Sequence, residues 1–375
     1  MKKFASEEYY NLTLKLTEKL CKIPAPSGLE DKRAEYIKEY LHNIGYINAY
    51  IDSAKNVIWE LKGNSEKYTL FMAHTDTVFP DLEPMTYVDD GEFIRCPGVC
   101  DDTVCVAMIL AFCKYLKDID FKVEKSILFS ANACEEGLGD LKGCKQIFKD
   151  FANRIDVMFT LDGGYNHIVN RSVGSHRYKV VATTQGGHSY GAFGKTNAIN
   201  VLSSIISKIY QIQVPQKVGA KTTYNVGTIN GGTSVNTIAQ SAEMLCEYRS
   251  DDNECLKIMQ DNFNNIFDQV KNEYPDATIT IELVGNRPGM GDVDKDALNR
   301  LSQIVIDIQE KHSNAPVKES SGSTDCNISH SLGIPAICVG VYKGAGVHTR
   351  EEYLEKASIT VGLNVLNDLF MMVCK

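Results

Sequence analysis

The stretch "SILFSANACEEGLGD", residues 126–140, joins a continuous apolar run to two adjacent glutamates and a glycine-rich turn. An unbroken apolar run such as SILFSANA is typical of a central strand that is covered on both faces of a sheet. Glu135 and Glu136 follow this run directly, so two like charges stand at the end of a buried strand. Adjacent carboxylates repel each other unless a cation neutralises them. If a cation neutralises this pair, other strand ends of the chain should carry further side chains that can bind it.

Similar apolar runs occur elsewhere in the chain. Strand-like runs are YTLFMA (68–73), DVMFTL (156–161) and AICVGVY (336–342), and helical patterns cover 9–23, 30–44, 103–118 and 297–313. Strands that alternate with helices favour an α/β fold with helices on both faces of the sheet. We therefore predict an α/β domain with a mixed, mostly parallel sheet flanked by helices.

Residues 173–288 follow a different pattern. The predicted strands are HRYKVVATT (176–184), TTYNVGTI (222–229), SAEMLCEYR (241–249) and ATITIELVG (277–285), and the predicted helices cover 197–212 and 253–274. The resulting order, β-α-β-β-α-β, is that of a split βαβ unit of ferredoxin-like type. We predict an inserted α+β domain at 173–288 within a discontinuous domain formed by 1–172 and 289–375.

Composition narrows the range of functions. The chain has 375 residues, a net charge of −9, 43% hydrophobic residues and 23% charged residues, as expected for a globular protein. It has no long basic run, which argues against nucleic acid as a partner. Neither a secretory signal nor an apolar stretch long enough to cross a bilayer is visible, so we expect no membrane association and a cytoplasmic location.

The twelve cysteines include no C-x2-C pair. In a cytoplasmic protein we expect most of them to be reduced thiols. Cys96, Cys100 and Cys105 lie close in sequence to a candidate site residue, Asp101. We interpret these three as buried small hydrophobic residues rather than as metal ligands.

Each strand-like run of the α/β domain leads to a side chain that can bind a metal. These side chains are His74, Glu136, Asp162 and His348, and Asp101 precedes the helix at 103–118. Taken singly, each has a simpler explanation: a strand-end histidine, a solvated glutamate, a loop acid, a surface histidine or a helix N-cap. Together they fall at one predicted sheet edge, because ligands bind outside the carboxyl ends of the strands in open α/β sheets.

Nitrogen and oxygen donors of this kind suit two divalent cations, with zinc expected and manganese or cobalt as alternatives. We assign His74 and Asp162 to one cation and Glu136 and His348 to the other, with Asp101 as the bridge. Two such cations can lower the pKa of a shared water toward about 7 and polarise a carbonyl oxygen. The sequence therefore predicts a dinuclear hydrolytic centre that acts through a metal-bridging hydroxide.

Two acids beside the ligands receive supporting roles. Asp76 lies two residues after His74, where an extended chain would let its carboxylate accept the second imidazole N–H. Glu135 is adjacent to a ligand but not assigned to a metal. We predict that Glu135 is the general base, which takes a proton from the attacking water and passes it to the leaving nitrogen.

The chain resembles the M20 metallopeptidase family over nearly its whole length. The motifs that carry the resemblance are IPAPSGLED, MAHTDTV, GVCDDT, CEEGLGDLKG, LDGG, GGHSYGAFGKTNAI, NGGTSVNTIA, SGSTDCNISHSLGIPAICVG and VHTREE. The resemblance implies a zinc-exopeptidase-like catalytic domain with two divalent cations and an inserted lid domain that often dimerises. It implies the ligand roles given above and a cis peptide between Asp101 and Asp102.

The resemblance also implies roles for three lid residues. His188 matches a histidine that stabilises the oxyanion, often from the partner subunit, and we group it with Glu135 and Asp76 as catalytic. Asn236 and Arg249 match positions that hold the substrate, the latter through a carboxylate. For Arg249, a salt bridge within the lid strand is an equally good interpretation. We expect a homodimer formed through the inserted domain.

The leading hypothesis is an exopeptidase of aminopeptidase or tripeptidase type that acts on small peptides. An N-acyl-amino-acid deacylase or carboxypeptidase-type amidohydrolase needs the same chemistry and is the alternative. A non-catalytic peptide-binding protein of the same fold is a third and more remote hypothesis. The sequence departs from the family at Cys134, Cys100 and Thr103, and for Cys134 we find no functional explanation in the sequence.

Overall fold

The computed structural model describes residues 3–374 and divides the chain into two compact units. The α/β unit is discontinuous and comprises the chain up to Ser172 together with the chain from Gly291 onward. The inserted unit is the segment Val173–Met290, which ends two residues after the expected boundary at 288.

The secondary structure elements are given in chain order. The first segment of the α/β unit contains α1 (Glu7–Cys21), α2 (Asp31–Asn43), β1 (Tyr50–Ile51), β2 (Val57–Leu61), β3 (Tyr68–His74), β4 (Val88–Asp89), β5 (Phe93–Arg95), α3 (Val104–Asp118), β6 (Ser126–Asn132), α4 (Lys142–Phe151), β7 (Ile155–Leu161) and β8 (His167–Ser172). The inserted unit contains β9 (Gly174–Thr183), β10 (Gly187–His188), α5 (Ala198–Ile209), β11 (Thr222–Gly231), β12 (Thr237–Ile238), β13 (Ser241–Ser250), α6 (Asn253–Glu273) and β14 (Thr278–Arg287). The last segment contains α7 (Lys295–Ser313), β15 (Lys318–Gly322), α8 (Cys326–Ser331), β16 (Ala336–Val339), β17 (Gly344–Ala345), β18 (Tyr353–Glu355) and α9 (Ser358–Val373).

The α/β unit is built on an eight-stranded sheet with the order β1-β2-β6-β3-β7-β16-β8-β15. The four central strands β6, β3, β7 and β16 are parallel to one another, whereas β2 and β8 join this group in the antiparallel direction. The predicted mixed, mostly parallel sheet is confirmed. Because the central strands share one direction, the loops that follow them open on the same edge of the sheet.

Both faces of this sheet are covered, which explains its continuous apolar runs. On one face, Leu70 and Met72 of β3 belong to a buried cluster with Ile147 of α4. On the other face, the ring of Phe71 lies 6.0 Å from the ring of Phe370 of α9. All five side chains are fully buried. Alternate residues of β3 therefore reach two different layers of the core.

Strand β16 is shorter than predicted, since it ends at Val339 rather than at residue 342. Gly340 lies so close to Gly164 that a Cβ atom at Gly340 would be 1.8 Å from the Gly164 carbonyl oxygen. The chain leaves the sheet at this point. Val341 and Tyr342 remain buried in the loop, so the apolar pattern continues past the end of the strand and the prediction was too long.

The inserted unit contains an antiparallel four-stranded sheet with the order β11-β13-β9-β14. The four strands and helices α5 and α6 follow the predicted order β-α-β-β-α-β. Alternate residues of β13, including Met244, Cys246 and Tyr248, are buried in the same cluster as Leu202 of α5 and Phe263 of α6. The two helices therefore cover one face of the sheet. Strands β10 and β12 form a separate two-stranded ribbon.

Within residues 3–374, no helical segment combines the length and the apolar character that a bilayer crossing requires. The twelve cysteines are buried, and no disulfide forms in this part of the chain. Several of them act as packing partners, as when the Trp59 Nε1–H donates to Cys113 Sγ at 3.2 Å.

Candidate metal centre

Five side chains with metal-binding groups meet at the carboxyl edge of the parallel strands. His74 ends β3, Asp162 follows β7 and Glu136 follows β6, while His348 lies in the loop between β17 and β18 and Asp101 lies in the turn before α3. Their donor atoms form two groups, each within 4.8 Å: His74, Asp101 and Asp162, and Asp101, Glu136 and His348. These groups match the two ligand sets assigned from the sequence, and Asp101 belongs to both.

Asp101 lies between the two histidines. Its Oδ1 atom is 2.8 Å from His74 Nε2, and its Oδ2 atom is 2.9 Å from His348 Nε2. His348 Nε2 is also 2.9 Å from Glu136 Oε1. Each oxygen of the Asp101 carboxylate thus faces a different imidazole, which is the arrangement that a bridging ligand needs.

The electrostatics of the site favour cations. Burial, followed by the charge of Asp101, holds the pKa of Asp162 well above its usual value. Burial also raises the pKa of Glu136 to about 7. Hydrogen bonds to Asp101 and Glu136 raise the pKa of His348 to about 10. Such buried acids are unfavourable as bare anions, and a divalent cation between them removes the repulsion and binds the deprotonated ligands. The nitrogen and oxygen donors also suit a divalent transition metal.

Asp76 has more partners than the one predicted. The Nδ1 of His74 lies 3.1 Å from the backbone carbonyl of Asp76 and 3.5 Å from the nearer carboxylate oxygen. The carboxylate itself accepts the backbone N–H groups of Glu135 and Glu136, each at 2.9 Å, and the hydroxyl of Ser27 at 2.6 Å. The backbone carbonyl is thus the nearest partner of the imidazole Nδ1, and the role of the Asp76 carboxylate in orienting this ring stays a prediction. The side chain of Asp76 also holds the glutamate pair.

Glu135 borders the donor groups. One of its carboxylate oxygens lies within 4.8 Å of the donor atoms of both His74 and Glu136, and its side chain is buried. The chain then turns sharply, because Gly139 packs against the backbone of Cys134, where a Cβ atom would be 2.7 Å from the carbonyl oxygen. This turn lets the two neighbouring glutamates face one site without extending the strand.

Glu352 is a site residue that the sequence analysis missed. Its buried carboxylate accepts the backbone N–H groups of Gly98 at 2.6 Å, Cys100 at 2.7 Å and Asp101 at 3.1 Å. Burial raises the pKa of Glu352 to about 7 despite these hydrogen bonds. The only sequence signal is its position in the motif VHTREE, four residues after His348. Glu352 holds the turn that carries Asp101, and this turn contains the cis peptide Asp101–Asp102.

A second missed residue, Asp325, lies beneath the site. Asp325 is fully buried, and its Oδ2 accepts the side-chain amide of Asn132, the last residue of β6, at 2.7 Å. Burial, followed by the charge of Glu135, raises the pKa of Asp325 to about 7. The motif SGSTDCNIS contains this acid, but the pattern of the sequence alone did not distinguish it from a helix cap.

The three cysteines near Asp101 contribute no donor to the groups found among residues 3–374. Burial raises the pKa of Cys100 and of Cys105, so both thiols stay protonated. The Cys100 thiol donates to the carbonyl of Tyr353 at 3.2 Å. Cys96 is buried as well. These residues pack around the turn, which is the role expected of them.

The inserted unit brings two of the three predicted lid residues together. His188 of β10 pairs with Thr237 of β12, and the N–H of Ser189 donates to the Asn236 carbonyl at 2.9 Å. His188 and Asn236 are exposed.

Arg249 has a partner within its own strand. Its Nε and Nη2 atoms bind the two carboxylate oxygens of Glu247 at 2.7 and 3.1 Å. This is the salt bridge given above as the alternative for Arg249, and the proposed contact with a substrate carboxylate stays a prediction.

Comparison with known proteins shows which family the chain matches and which structures share its fold. Residues 70–372 match the family model described as peptidase family M20/M25/M40. The chain is 23% identical over 355 residues to a succinyl-diaminopimelate desuccinylase from Corynebacterium glutamicum, covering 92% of each chain. A tripeptidase structure from Staphylococcus aureus superposes with a TM-score of 0.75 at 21% identity, covering 97% of this chain and 98% of that one. The aminopeptidase PepT from Bacillus cereus gives a TM-score of 0.73 at 19% identity, covering 98% and 99%. At these identities the two structures establish the fold.

Proposed function

Because the chain belongs to peptidase family M20/M25/M40, we propose that it is a metal-dependent exopeptidase that hydrolyses an amide bond in small peptides. One observation carries the proposal: the two oxygens of Asp101 lie within 2.9 Å of two different histidines. A carboxylate shared in this way is suited to holding two cations at one substrate bond.

The residues that would hold the cations follow from the two donor groups. His74 and Asp162 would bind one cation, and Glu136 and His348 the other, with Asp101 shared between them. We expect zinc, with manganese or cobalt as alternatives, because the donor set suits all three ions. When bound, a pair of such cations lowers the pKa of a water and polarises the carbonyl of the scissile bond.

Glu135 carries the proton transfer in this proposal. Its carboxylate borders both cation sites, and the hydrogen bond from its backbone N–H to Asp76 fixes its position. It takes a proton from the attacking water and delivers it to the nitrogen of the leaving group, so that this amine departs uncharged. In this proposal the adjacent Glu136 binds metal, so proton transfer and metal binding belong to different residues.

The inserted unit supplies the lid and the dimer interface in this proposal. His188 would donate to the developing oxyanion, and Asn236 and Arg249 would hold the substrate. Strand β11 supports dimerisation through this unit, because it is an edge strand of ten residues and pairs only with β13 in the four-stranded sheet. Such an edge offers unpaired backbone groups to a second strand. Two exposed aromatic side chains near His188, Tyr190 and Phe193, are each 91% exposed.

An N-acyl-amino-acid deacylase is the second candidate. The match to a desuccinylase over 92% of each chain favours it, whereas the fold likeness to a tripeptidase and an aminopeptidase favours the peptidase. Purified metal-loaded protein should be assayed with tripeptides, dipeptides, N-acetyl amino acids and N-succinyl amino acids. We expect the highest kcat/KM with tripeptides or dipeptides that have a free amino terminus. A preference for the acylated amino acids would replace the peptidase by the deacylase.

A further inference from the structure

A cavity of about 470 Å³ lies in the α/β unit, and none of the candidate metal ligands lines it. Its lining includes four lysines, Lys55, Lys142, Lys145 and Lys149, and no acidic residue. The chain as a whole carries a net charge of −9. The positive charge of this cavity is therefore a local feature and does not follow from the composition.

Helix α4 supplies three of the four lysines in this lining. Lys142, Lys145 and Lys149 are separated by three and four residues, so they lie on one face of the helix. Ile147 and Phe148 of the same helix are buried in the core of the α/β unit. Because this apolar side anchors the helix, the lysine face is held toward the cavity and does not depend on a flexible loop.

Only half of the lysines are neutralised by the protein itself. Lys55 binds Asp31 and Lys145 binds Asp140, each at 2.6 Å. Across residues 3–374, the ammonium groups of Lys142 and Lys149 make no hydrogen bond or ion pair, and both side chains are exposed. Two positive charges thus face the same cavity without a carboxylate partner.

The other side chains that line the cavity add no negative charge. Cys134 lines the cavity and is buried. Its thiol donates to Glu30 Oε1 at 3.4 Å. Gln146 adds a side-chain amide to the lining, although that amide also donates to Asp150 at 2.8 Å. An anion in this cavity would meet ammonium groups and no acidic side chain of the lining.

We propose that this cavity binds a small molecule that carries a phosphate group, at a site separate from the metal centre. Lysine ammonium groups are common ligands of phosphate, and two of them are available here. The volume suits a small organic ligand. Cys134 directly precedes Glu135, so the occupant of this cavity would lie behind the loop that carries the proposed general base.

Inorganic phosphate is the probe for this site. The metal-loaded protein, its Lys142→Gln/Lys149→Gln variant and a Lys15→Gln/Lys19→Gln control are each titrated calorimetrically at constant ionic strength. The control removes the same charge from exposed lysines of α1, outside the cavity. Phosphate that binds at the metal centre contributes equally to all three proteins. No enzymatic turnover is measured, so the result is independent of the proposed peptidase activity.

We expect wild type and the α1 control to bind phosphate with equal affinity. We expect the cavity variant to bind phosphate at least tenfold more weakly, or not at all. Equal binding by the cavity variant and wild type overturns the proposal. Equal weakening in both variants overturns it too, because it would show a general charge effect. The far-ultraviolet circular dichroism spectrum and the melting temperature verify that each variant is folded. Because the replaced lysines are exposed, we expect both variants to fold like wild type.

Discussion

The carboxylate of Glu352 accepts a hydrogen bond from the backbone N–H of Asp101 at 3.1 Å. The same side chain accepts two further N–H groups from the turn that precedes Asp101. It therefore fixes the backbone of the proposed bridging ligand, although it belongs to none of the donor groups found among residues 3–374. Residues behind metal ligands often tune metal affinity in this way.

Replacing Glu352 by glutamine should weaken metal binding by about ten to a hundredfold. An amide has one acceptor oxygen, so its NH₂ group would face a backbone N–H and leave that donor buried without a partner, which costs about 1–3 kcal/mol. Metal affinity is measured by competition with a chromogenic chelator, and stability by urea unfolding. Glu351→Gln is the control, because Glu351 is the exposed neighbour. Equal affinities in both variants would contradict the role of Glu352.

Replacing Glu135 by glutamine should lower kcat by about 10²–10⁴ while both cations stay bound. Glutamine keeps the shape of the side chain but cannot accept the proton of the attacking water. Turnover and metal content by elemental analysis are measured on the same preparation. A variant with normal turnover would rule out Glu135 as the base, and a variant without metal would show that Glu135 is a ligand.

Replacing Asp101 by asparagine should lower the metal content from about two cations per subunit to fewer than one. Asparagine has one carbonyl oxygen and no charge, so it cannot bridge two cations. Elemental analysis after dialysis gives the content, and Asp90→Asn, an exposed acid, is the control. Chelation of the wild type should abolish turnover, and restoring zinc, manganese or cobalt separately identifies the most active ion. Retention of two cations in Asp101→Asn would contradict the shared ligand.

His330 should make stability depend on pH between about 6.5 and 4. Its ring is buried, binds Ser172 and the Ala336 carbonyl, and its pKa is lowered by burial to about 4. Below pH 6.5 the unfolded chain gains a proton that the folded chain does not bind, so the free energy of unfolding decreases as the pH falls through this window. The decrease from this residue is about 3 kcal/mol.

The measurement is urea unfolding at several pH values for wild type and His330→Gln. The difference in the free energy of unfolding between wild type and His330→Gln should shrink by this amount between pH 7 and 4. A constant His330→Gln difference would mean that the buried ring is protonated as readily as in the unfolded chain.

Mixing two inactive variants tests whether His188 acts across a dimer. One variant carries His188→Ala and the other Glu135→Gln, and the two are unfolded together and refolded. If the histidine of one subunit completes the site of its partner, half of the dimers are mixed and each has one intact site, which gives about a quarter of wild-type activity. If His188 serves its own subunit, or the protein is a monomer, the mixture stays inactive. Each variant refolded alone is the control.

The fold and the proposed ligands could be predicted from the sequence, because the apolar runs show where the strands lie and where each strand ends. Apolar runs locate the parallel strands, and the rule that ligands gather at their carboxyl ends joins His74 to Asp162. The predicted α/β sheet is confirmed, and the five candidate ligands lie together in two groups. These are properties of the chain order and need no knowledge of side-chain packing.

The atoms that hold the ligands could not be predicted in the same way. The sequence did not indicate that the Asp76 carboxylate also accepts the backbone N–H of Glu135, because this contact depends on how the loop after β6 folds back toward the end of β3. The contact of Glu352 with Gly98 depends on how β18 pairs with β5. Such pairing between distant segments leaves no periodic signal in either one.

The order of the donors along the chain limits when this centre can form during synthesis. His74, Asp101, Glu136 and Asp162 precede the inserted unit, whereas His348 and Glu352 follow it. The ribosome therefore completes the whole inserted unit before the last donor emerges. A nascent or truncated chain that stops before His348 lacks part of one ligand set and the acid that holds Asp101. Hydrolytic competence thus appears only after His348 and Glu352 have left the ribosome.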